Sequence, residues 1–139
     1  MRTCPSNANK IYAAGGTSYA SSTGVLRRSD DAGVNWPGLA YILSSNIGFP
    51  VTYTKITSVN VDPSNSANVW ATFGGFDDTA KVYFSDNSGG RWFNMTGSLP
   101  NVAVHTIALD SDNNAYVGTD NGVYYRGNSM NDWIPFYNN

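Results

Sequence analysis

The stretch VYFSDNSGGRW, at residues 82–92, decides the fold because two further versions of it occur in the chain. A near copy, LRRSDDAGVNW, occupies residues 26–36, and a more distant copy, VYYRGNSMNDW, occupies residues 123–133. Each copy ends in tryptophan, and the tryptophans are 56 and 41 residues apart. Repetition at this spacing is typical of proteins built from tandem structural units.

The segments between these copies repeat as well. ITSVNVDPSN (56–65) aligns with VHTIALDSDN (104–113), and CPSNANKIYAAGG (4–16) aligns with DPSNSANVWATFGG (62–75) with one gap. Short runs rich in Val, Ile, Thr and Tyr are separated by turn-forming Gly, Asn, Asp and Pro, which is the pattern of strands joined by tight turns. The chain therefore reads as three related units of short strands.

We divide the chain into a first unit at 1–47, a second at 48–100 and a third at 101–139, with strands named A to D in each. The first unit is predicted to lack its first strand, because residues 1–3 provide only the stub of strand A. The predicted strands are B 10–15, C 24–29 and D 35–43 in the first unit, A 56–62, B 68–74, C 80–86 and D 91–96 in the second, and A 104–110, B 114–119, C 122–127 and D 132–137 in the third.

This pattern predicts an all-β protein of tandem four-stranded antiparallel β-propeller blades. The composition agrees, since the 139 residues include no Glu or Gln and 41% of them are hydrophobic. A single blade cannot bury both faces, so each needs a neighbour on each side. About three blades are fewer than the four to eight of a closed propeller. We therefore expect an incomplete propeller, or one closed by remaining blades or by a homo-oligomer.

The repeated stretch fits the pattern Ser-x-Asp/Asn-x-Gly-x-x-Trp at a turn between strands C and D. A short Asp or Asn side chain accepts backbone N–H bonds within such a turn, and Gly adopts a positive φ. The Trp then packs between sheets, with one acceptor for its indole N–H. We interpret these residues as structural rather than catalytic: Ser29, Asp31, Gly33, Trp36, Ser85, Asn87, Gly89, Trp92 and, in the degenerate third copy, Trp133.

The stretches at 29–36 and 85–92 resemble the Asp-box of BNR-repeat propellers, which include sialidases, xyloglucanases, sortilin-type receptor domains and photosystem assembly factors. ITSVNVDPSNSANVWATFGGF, with the segments that follow, is more similar to blades of large secreted Bacteroidetes-type proteins that use type IX secretion. This resemblance implies an extracellular or cell-surface location, with the export signal outside this chain. The motif recurs across unrelated functions, so it is specific for fold and not for activity.

The most favoured function is a non-enzymatic binding or scaffold segment that recognises carbohydrate or protein. A sialidase-like site is excluded, because the Tyr–Glu pair that the resemblance implies cannot be made without Glu. A xyloglucanase-like glycoside hydrolase fragment using two aspartates remains an alternative, and a self-assembling structural protein is a second one. The expected ligand-binding residues lie on the face of the B-to-C and D-to-A loops: Phe49, Tyr53, Phe76, Asp77 and Asp78.

No metal or cofactor is expected. Asp110, Asp112 and Asn114 have the spacing that opens a calcium loop, but the Gly at position six and the Glu at position twelve are missing. His105 is the sole histidine and has no metal-ligand partner in the sequence. The net charge of −2 and the scattered basic residues argue against a nucleic-acid partner. No apolar run approaches the length of a membrane span.

Overall fold

The computed structural model describes residues 1–16, 24–36 and 55–137. Within these ranges the chain forms strands and turns and no helix. The strands, in chain order, are β1 (Arg2–Cys4), β2 (Asn7–Gly16), β3 (Gly24–Ser29), β4 (Ile56–Val61), β5 (Val69–Phe73), β6 (Val82–Ser85), β7 (Phe93–Asn94), β8 (Val104–Leu109), β9 (Ala115–Thr119), β10 (Gly122–Arg126) and β11 (Ile134–Pro135).

In the part of the chain that the structure describes, these strands form three antiparallel sheets. Blade 1 has the order β1-β2-β3, blade 2 the order β4-β5-β6-β7, and blade 3 the order β8-β9-β10-β11. Strands that follow one another in sequence are always neighbours, so each sheet is a simple meander. The predicted all-β class and the four-stranded antiparallel units are confirmed.

The first strand of blade 1 is short. β1 pairs with β2, with Arg2 opposite Tyr12 and Thr3 opposite Ile11, at the place where the sequence predicts the stub of strand A. The predicted strand D of this unit, 35–43, extends into residues 37–54, which lie outside the described residues. The unit boundaries at 1–47, 48–100 and 101–139 remain predictions.

The fourth strands of blades 2 and 3 are shorter than the sequence predicts. β7 and β11 contain two residues each. Backbone pairing nevertheless continues beyond them, because Met95 N donates to Val82 O at 2.8 Å and Phe136 N donates to Val123 O at 2.8 Å. The residues that follow each Trp therefore stay attached to strand C of their own blade.

The inner strands β4 and β8 each carry a bulge at the same position. The pairing register shifts between Ile56 and Ser58 in one strand and between Val104 and Thr106 in the other. The extra residues are Thr57 and His105, and a bulge redirects the side chain of the residue it inserts. Because the same irregularity recurs, the two blades are repeats in backbone geometry as well as in sequence.

Blades 1 and 2 meet at an apolar cluster that we call the first junction. β4 lies against β1 and β2, so the inner strands are adjacent. Side chains from one face of β5 and β6 enter this junction, as expected for strands that alternate between faces. Its buried residues are Cys4, Tyr12, Leu26, Ile56, Val59, Val61, Val69, Ala71, Phe73, Ala80, Tyr83 and Trp92.

Blades 2 and 3 meet at the second junction, which uses the opposite face of blade 2. Val69 faces blade 1, whereas its neighbour Trp70 packs towards blade 3. β8 lies against β4 and β5. The buried residues of this junction are Val82, Leu99, Val104, Ile107, Ala115, Val117 and Trp133, with Trp70, Met95, Leu109 and Tyr124 packed around them. Blade 2 is thus covered on both faces.

Replacing Ile107 by alanine is expected to lower the free energy of unfolding by about 2–5 kcal/mol, because it leaves a cavity in the second junction. Ile107 is 1% exposed, whereas Ile134 is 49% exposed. Ile134→Ala removes the same atoms and is expected to cost less than about 1 kcal/mol. Urea unfolding followed by tryptophan fluorescence measures both variants. Equal losses would contradict the packing of blade 3 on blade 2 through β8.

Candidate functional site

The turn after β3 is built by its own side chains. Gly33 N donates to Ser29 Oγ at 2.9 Å, and Ser29 Oγ donates to Asp31 Oδ1 at 2.7 Å. Asp31 Oδ1 also accepts from Asn35 N at 2.8 Å, and Trp36 Nε1 donates to Gly33 O at 3.1 Å. Because these acceptors are used within the turn, the Asp31 carboxylate is a structural element of the hairpin.

The turn after β6 repeats these contacts with Asn in place of Asp. Gly89 N donates to Ser85 Oγ at 2.8 Å, and Arg91 N donates to Asn87 Oδ1 at 2.8 Å. Trp92 Nε1 donates to Gly89 O at 3.2 Å. The amide oxygen of Asn87 therefore accepts the same backbone hydrogen bond as the carboxylate of Asp31, so a negative charge is not needed at this position.

Each of these two turns contains two successive residues with positive φ. The values are 58° and 90° at Ala32 and Gly33, and 61° and 87° at Ser88 and Gly89. The sequence predicts the glycine of each pair, because glycine adopts this conformation without strain. It does not predict the Ala or Ser, since nothing in those residue types favours a left-handed backbone.

The third turn, after β10, departs from this pattern. Arg126 and Met130 stand where the other copies have Ser and Gly. Trp133 is buried, but its Nε1 donates to Met95 O of blade 2 at 2.7 Å instead of to its own turn. The degenerate copy thus keeps its Trp as a contact between blades after losing the contacts inside the turn.

Phe76, Asp77 and Asp78 are consecutive residues in the hairpin between β5 and β6. Phe76 is 75% exposed, which leaves its ring free for a ligand. Asp77 Oδ1 accepts from Thr79 Oγ1 at 2.7 Å and from Thr79 N at 2.9 Å, and these bonds lower the pKa of Asp77. A general acid needs a raised pKa, so this environment does not suit Asp77 for that role. The other two predicted ligand-binding residues, Phe49 and Tyr53, lie outside the described residues.

Lys81 connects this hairpin to the loop between β7 and β8. It is 1% exposed, and its Nζ donates to Val102 O at 2.8 Å, Asn101 Oδ1 at 3.3 Å and Gly75 O at 3.4 Å. Burial lowers the pKa of Lys81, and the nearby carboxylates of Asp77 and Asp78 oppose that shift. Sequence reasoning missed this residue, because a lysine next to a strand is usually solvent-exposed.

A His–Asp pair lies at the same end of blade 3. His105 Nε2 lies 2.6 Å from Asp120 Oδ1, and this hydrogen bond lowers the pKa of Asp120. Both side chains are about half exposed to solvent. His105 is the bulge residue of β8, and Asp120 belongs to the turn between β9 and β10. The bulge therefore directs the imidazole towards the loops rather than into a junction.

The predicted calcium-like spacing forms a turn. Asp110 Oδ1 accepts from Asp112 N and Asn114 N, both at 2.9 Å, and Asp110 Oδ2 accepts from Asn114 Nδ2 at 3.0 Å. Asp62 makes equivalent bonds in the corresponding turn of blade 2. Within the described ranges, no group of three or more His, Cys, Asp or Glu residues is arranged to hold a metal ion.

No family model and no curated protein matches the chain. Among solved structures, the chain is similar to the Niastella koreensis GH74 enzyme, with 17% identity and a TM-score of 0.69 over 95% of this chain and 20% of that one. The GH74 xyloglucanase from Xanthomonas campestris gives 15% identity and a TM-score of 0.69 over 95% and 21%. An ancestral GH74 enzyme gives 22% and 0.65 over 99% and 18%.

These neighbours establish the fold as a series of β-propeller blades. The chain spans about a fifth of the length of each of these enzymes. Among the described residues, no helix is long and apolar enough to cross a lipid bilayer.

Acid is expected to destabilise the protein partly through Asp31. The backbone N–H of Asn35, followed by Ser29, lowers the pKa of Asp31 below its ordinary value of 3.8. A carboxyl group with a lowered folded pKa stabilises the fold above its unfolded pKa, and this stability is lost as the pH falls from about 5 through the folded pKa. In Asp31→Asn, the thermal unfolding midpoint should therefore fall less steeply as the pH decreases from about 5 to the folded pKa of Asp31.

Asp78→Asn is the matched control for Asp31→Asn, because the Asp78 carboxylate lies at an exposed hairpin tip and makes no hydrogen bond within the described residues. Thermal unfolding at a series of pH values compares the two variants with the parent chain. An unchanged pH dependence in Asp31→Asn would show that Asp31 does not carry this part of the acid sensitivity.

Lys81→Met is expected to cost about 1–3 kcal/mol of unfolding free energy, because it removes the donor to three part-buried acceptors that join the hairpin to the loop before β8. Lys55→Met is the control, since Lys55 is exposed. Limited proteolysis should also cut the Lys81 variant faster in the loop that contains Asn101 and Val102. A Lys81 variant as stable and as resistant as the Lys55 variant would contradict the connecting role.

Proposed function

We propose that this chain is a non-enzymatic scaffold and binding segment of an exported β-propeller protein. The observation that carries the proposal is that side chains tie each blade to the next. At the second junction Thr57 Oγ1 donates to Val104 O at 2.6 Å, and Asn60 Nδ2 donates to Ile107 O at 3.1 Å. These side chains hydrogen-bond to the backbone of the next sheet, which is what a rigid scaffold needs.

Polar contacts tie the first junction in the same way. Tyr12 Oη donates to Ser66 O at 3.0 Å, and Arg28 Nη1 donates to Ser88 O at 2.8 Å. Lys10 Nζ donates to Ser88 Oγ at 2.9 Å. Ser88 lies in the turn after β6, so in this proposal the Asp-box turns serve as anchors between blades and do no chemistry themselves.

The outer face of blade 3 supports a further blade as its neighbour. Tyr116 and Tyr125 pack at 5.0 Å between ring centroids, and Phe136 lies 5.3 Å from Tyr116 and 57% exposed. By strand register, Tyr116 and Tyr125 occupy the positions of Trp70 and Phe84 in blade 2, a face that blade 3 covers. In this proposal, remaining blades or a second copy of the chain cover these rings.

The binding role is assigned to the face of the loops between strands B and C and between strands D and A. Phe76 offers an exposed ring, and the buried Lys81 fixes the loops beside it. Phe49 and Tyr53 are predicted to join this surface. An aromatic ring beside polar hairpin residues suits carbohydrate or protein. In this proposal the parent protein is exported to the cell surface, as the resemblance to type IX secretion proteins implies.

A second candidate function is a fragment of a glycoside hydrolase, which the fold likeness to a xyloglucanase favours. An inverting hydrolase needs two carboxylates about 6.5–9.5 Å apart, one of them protonated. Asp77 and Asp78 are the candidates on the loop face. The hydrogen bonds that lower the pKa of Asp77 favour its ionised form, so in this function Asp77 would be the general base and Asp78 the general acid.

Glycan-array binding and release of reducing sugar from xyloglucan distinguish the two candidates. The scaffold proposal expects binding without hydrolysis, weakened about tenfold in Phe76→Ala through loss of an aromatic contact. Phe93→Ala is the control, since Phe93 is a partly exposed ring in β7 beside the turn at the other end of blade 2. Reducing-sugar release that Asp78→Ala abolishes would overturn the proposal in favour of the hydrolase.

A further inference from the structure

A cavity opens at the second junction, on the face of the molecule opposite the B-to-C loops. Its volume is about 280 Å³. Blade 2 contributes Trp70, Phe84 and Met95 to its wall, and blade 3 contributes Asn113 and Arg126. This volume is near the lower end of the roughly 300–1,000 Å³ of ligand pockets, which suits one small ring.

The degenerate turn of blade 3 explains why the cavity lies at this junction. Arg126 pairs with Ala115 in β9 at the register position of Ser85, which pairs with Val69 in blade 2. Ser85 is fully buried and closes its turn by accepting from Gly89 N. Arginine cannot occupy that space, so its side chain extends along the junction.

The corresponding place in the first junction is filled by direct contacts. By register, Tyr12 and Arg28 stand where blade 2 has Trp70 and Phe84. The Arg28 guanidinium reaches Ser88 O of the next blade at 2.8 Å. Phe84 has no polar group that could bond to blade 3. The cavity at the second junction is therefore lined by the aromatic rings of Trp70 and Phe84 and by the cationic side chain of Arg126.

Two polar groups of the cavity make no hydrogen bond within the residues that the structure describes. Asn113 Oδ1 is buried and accepts no hydrogen bond. The Arg126 guanidinium is half-buried and makes no hydrogen bond or ion pair within the described ranges, although its charge helps to lower the pKa of Asp132. Asp62 also lines the cavity, but its carboxylate already accepts hydrogen bonds from Ser64, Asn65 and Asn68.

We propose that this cavity binds a single neutral sugar ring. A pyranose offers hydroxyl groups that donate to Asn113 Oδ1 and accept from Arg126, and an apolar C–H face that packs on Trp70 and Phe84. A neutral ligand is favoured because the lining carries one carboxylate, Asp62, and one guanidinium, Arg126, whose charges offset each other. This site goes beyond the proposed function, since it lies on the opposite face from Phe76.

The probes are a panel of methyl pyranosides with gluco, galacto, manno and xylo configuration, with methyl glucuronide and inorganic phosphate as charged comparators. NMR titration of the full chain is expected to show at least one neutral pyranoside binding with a millimolar dissociation constant, shifting the signals of Asn113 and Trp70. Absence of any such shift at saturating pyranoside, or tighter binding of glucuronide or phosphate, would overturn the proposal.

Two variants test the assigned groups. Arg126→Ser places the residue of the other two turns at this position, and Asn113→Gly removes the unpartnered oxygen at a backbone φ of 60° that glycine adopts freely. Each is expected to weaken pyranoside binding about tenfold, the value of one hydrogen bond to a charged or buried group. Unchanged affinity in both variants would overturn the assignment.

Arg91→Ser is the matched control for Arg126→Ser, because Arg91 lies in the equivalent turn of blade 2 but is exposed and paired with Asp86. It is expected to leave pyranoside binding unchanged. Phe76→Ala is also expected to leave this site unchanged, so failure of the loop-face proposal and failure of this one are distinguishable. Thermal unfolding of each variant verifies that it folds.

Discussion

The stacking of the three sheets depends on the fact that blade 2 is apolar on both faces. In β5, Val69 turns towards blade 1 and Trp70 towards blade 3, so neither face of blade 2 can remain in water without cost. An isolated four-stranded sheet with this pattern would not be stable, and stacking is the solution. The tryptophan turns, the side-chain bonds to neighbouring backbones and the cavity between blades all arise at these junctions.

The repeats allow much of the fold to be predicted, because they report backbone geometry. The offset of 48 residues between the two A strands makes Thr57 and His105 equivalent positions in the repeat, and both are bulge residues. The turn contacts of Asp31 and Asn87 follow from short side chains next to free backbone N–H groups. These features are local in sequence, so the residue types alone indicate them.

Features that depend on distant residues could not be predicted in this way. The burial of Lys81 depends on carbonyl groups supplied by a loop twenty residues later. Trp133 donates to Met95 O because its own turn has lost its glycine, and no rule of spacing gives that partner. On the loop face, the sequence predicts Asp77 at a hairpin tip, but it does not predict that Thr79 Oγ1 donates to the Asp77 carboxylate.

The contrast between Arg28 and Phe84 favours one order of stacking of the blades. These residues occupy equivalent positions, yet Arg28 requires a carbonyl acceptor from the next sheet, whereas Phe84 requires an apolar partner. Blade 3 in the place of blade 2 would present its degenerate turn, in which Ser129 lacks the positive φ of Ser88, so the Arg28 guanidinium would lose this contact and keep its ion pair with Asp30. This difference between the two junctions disfavours scrambled stacking when similar units fold side by side.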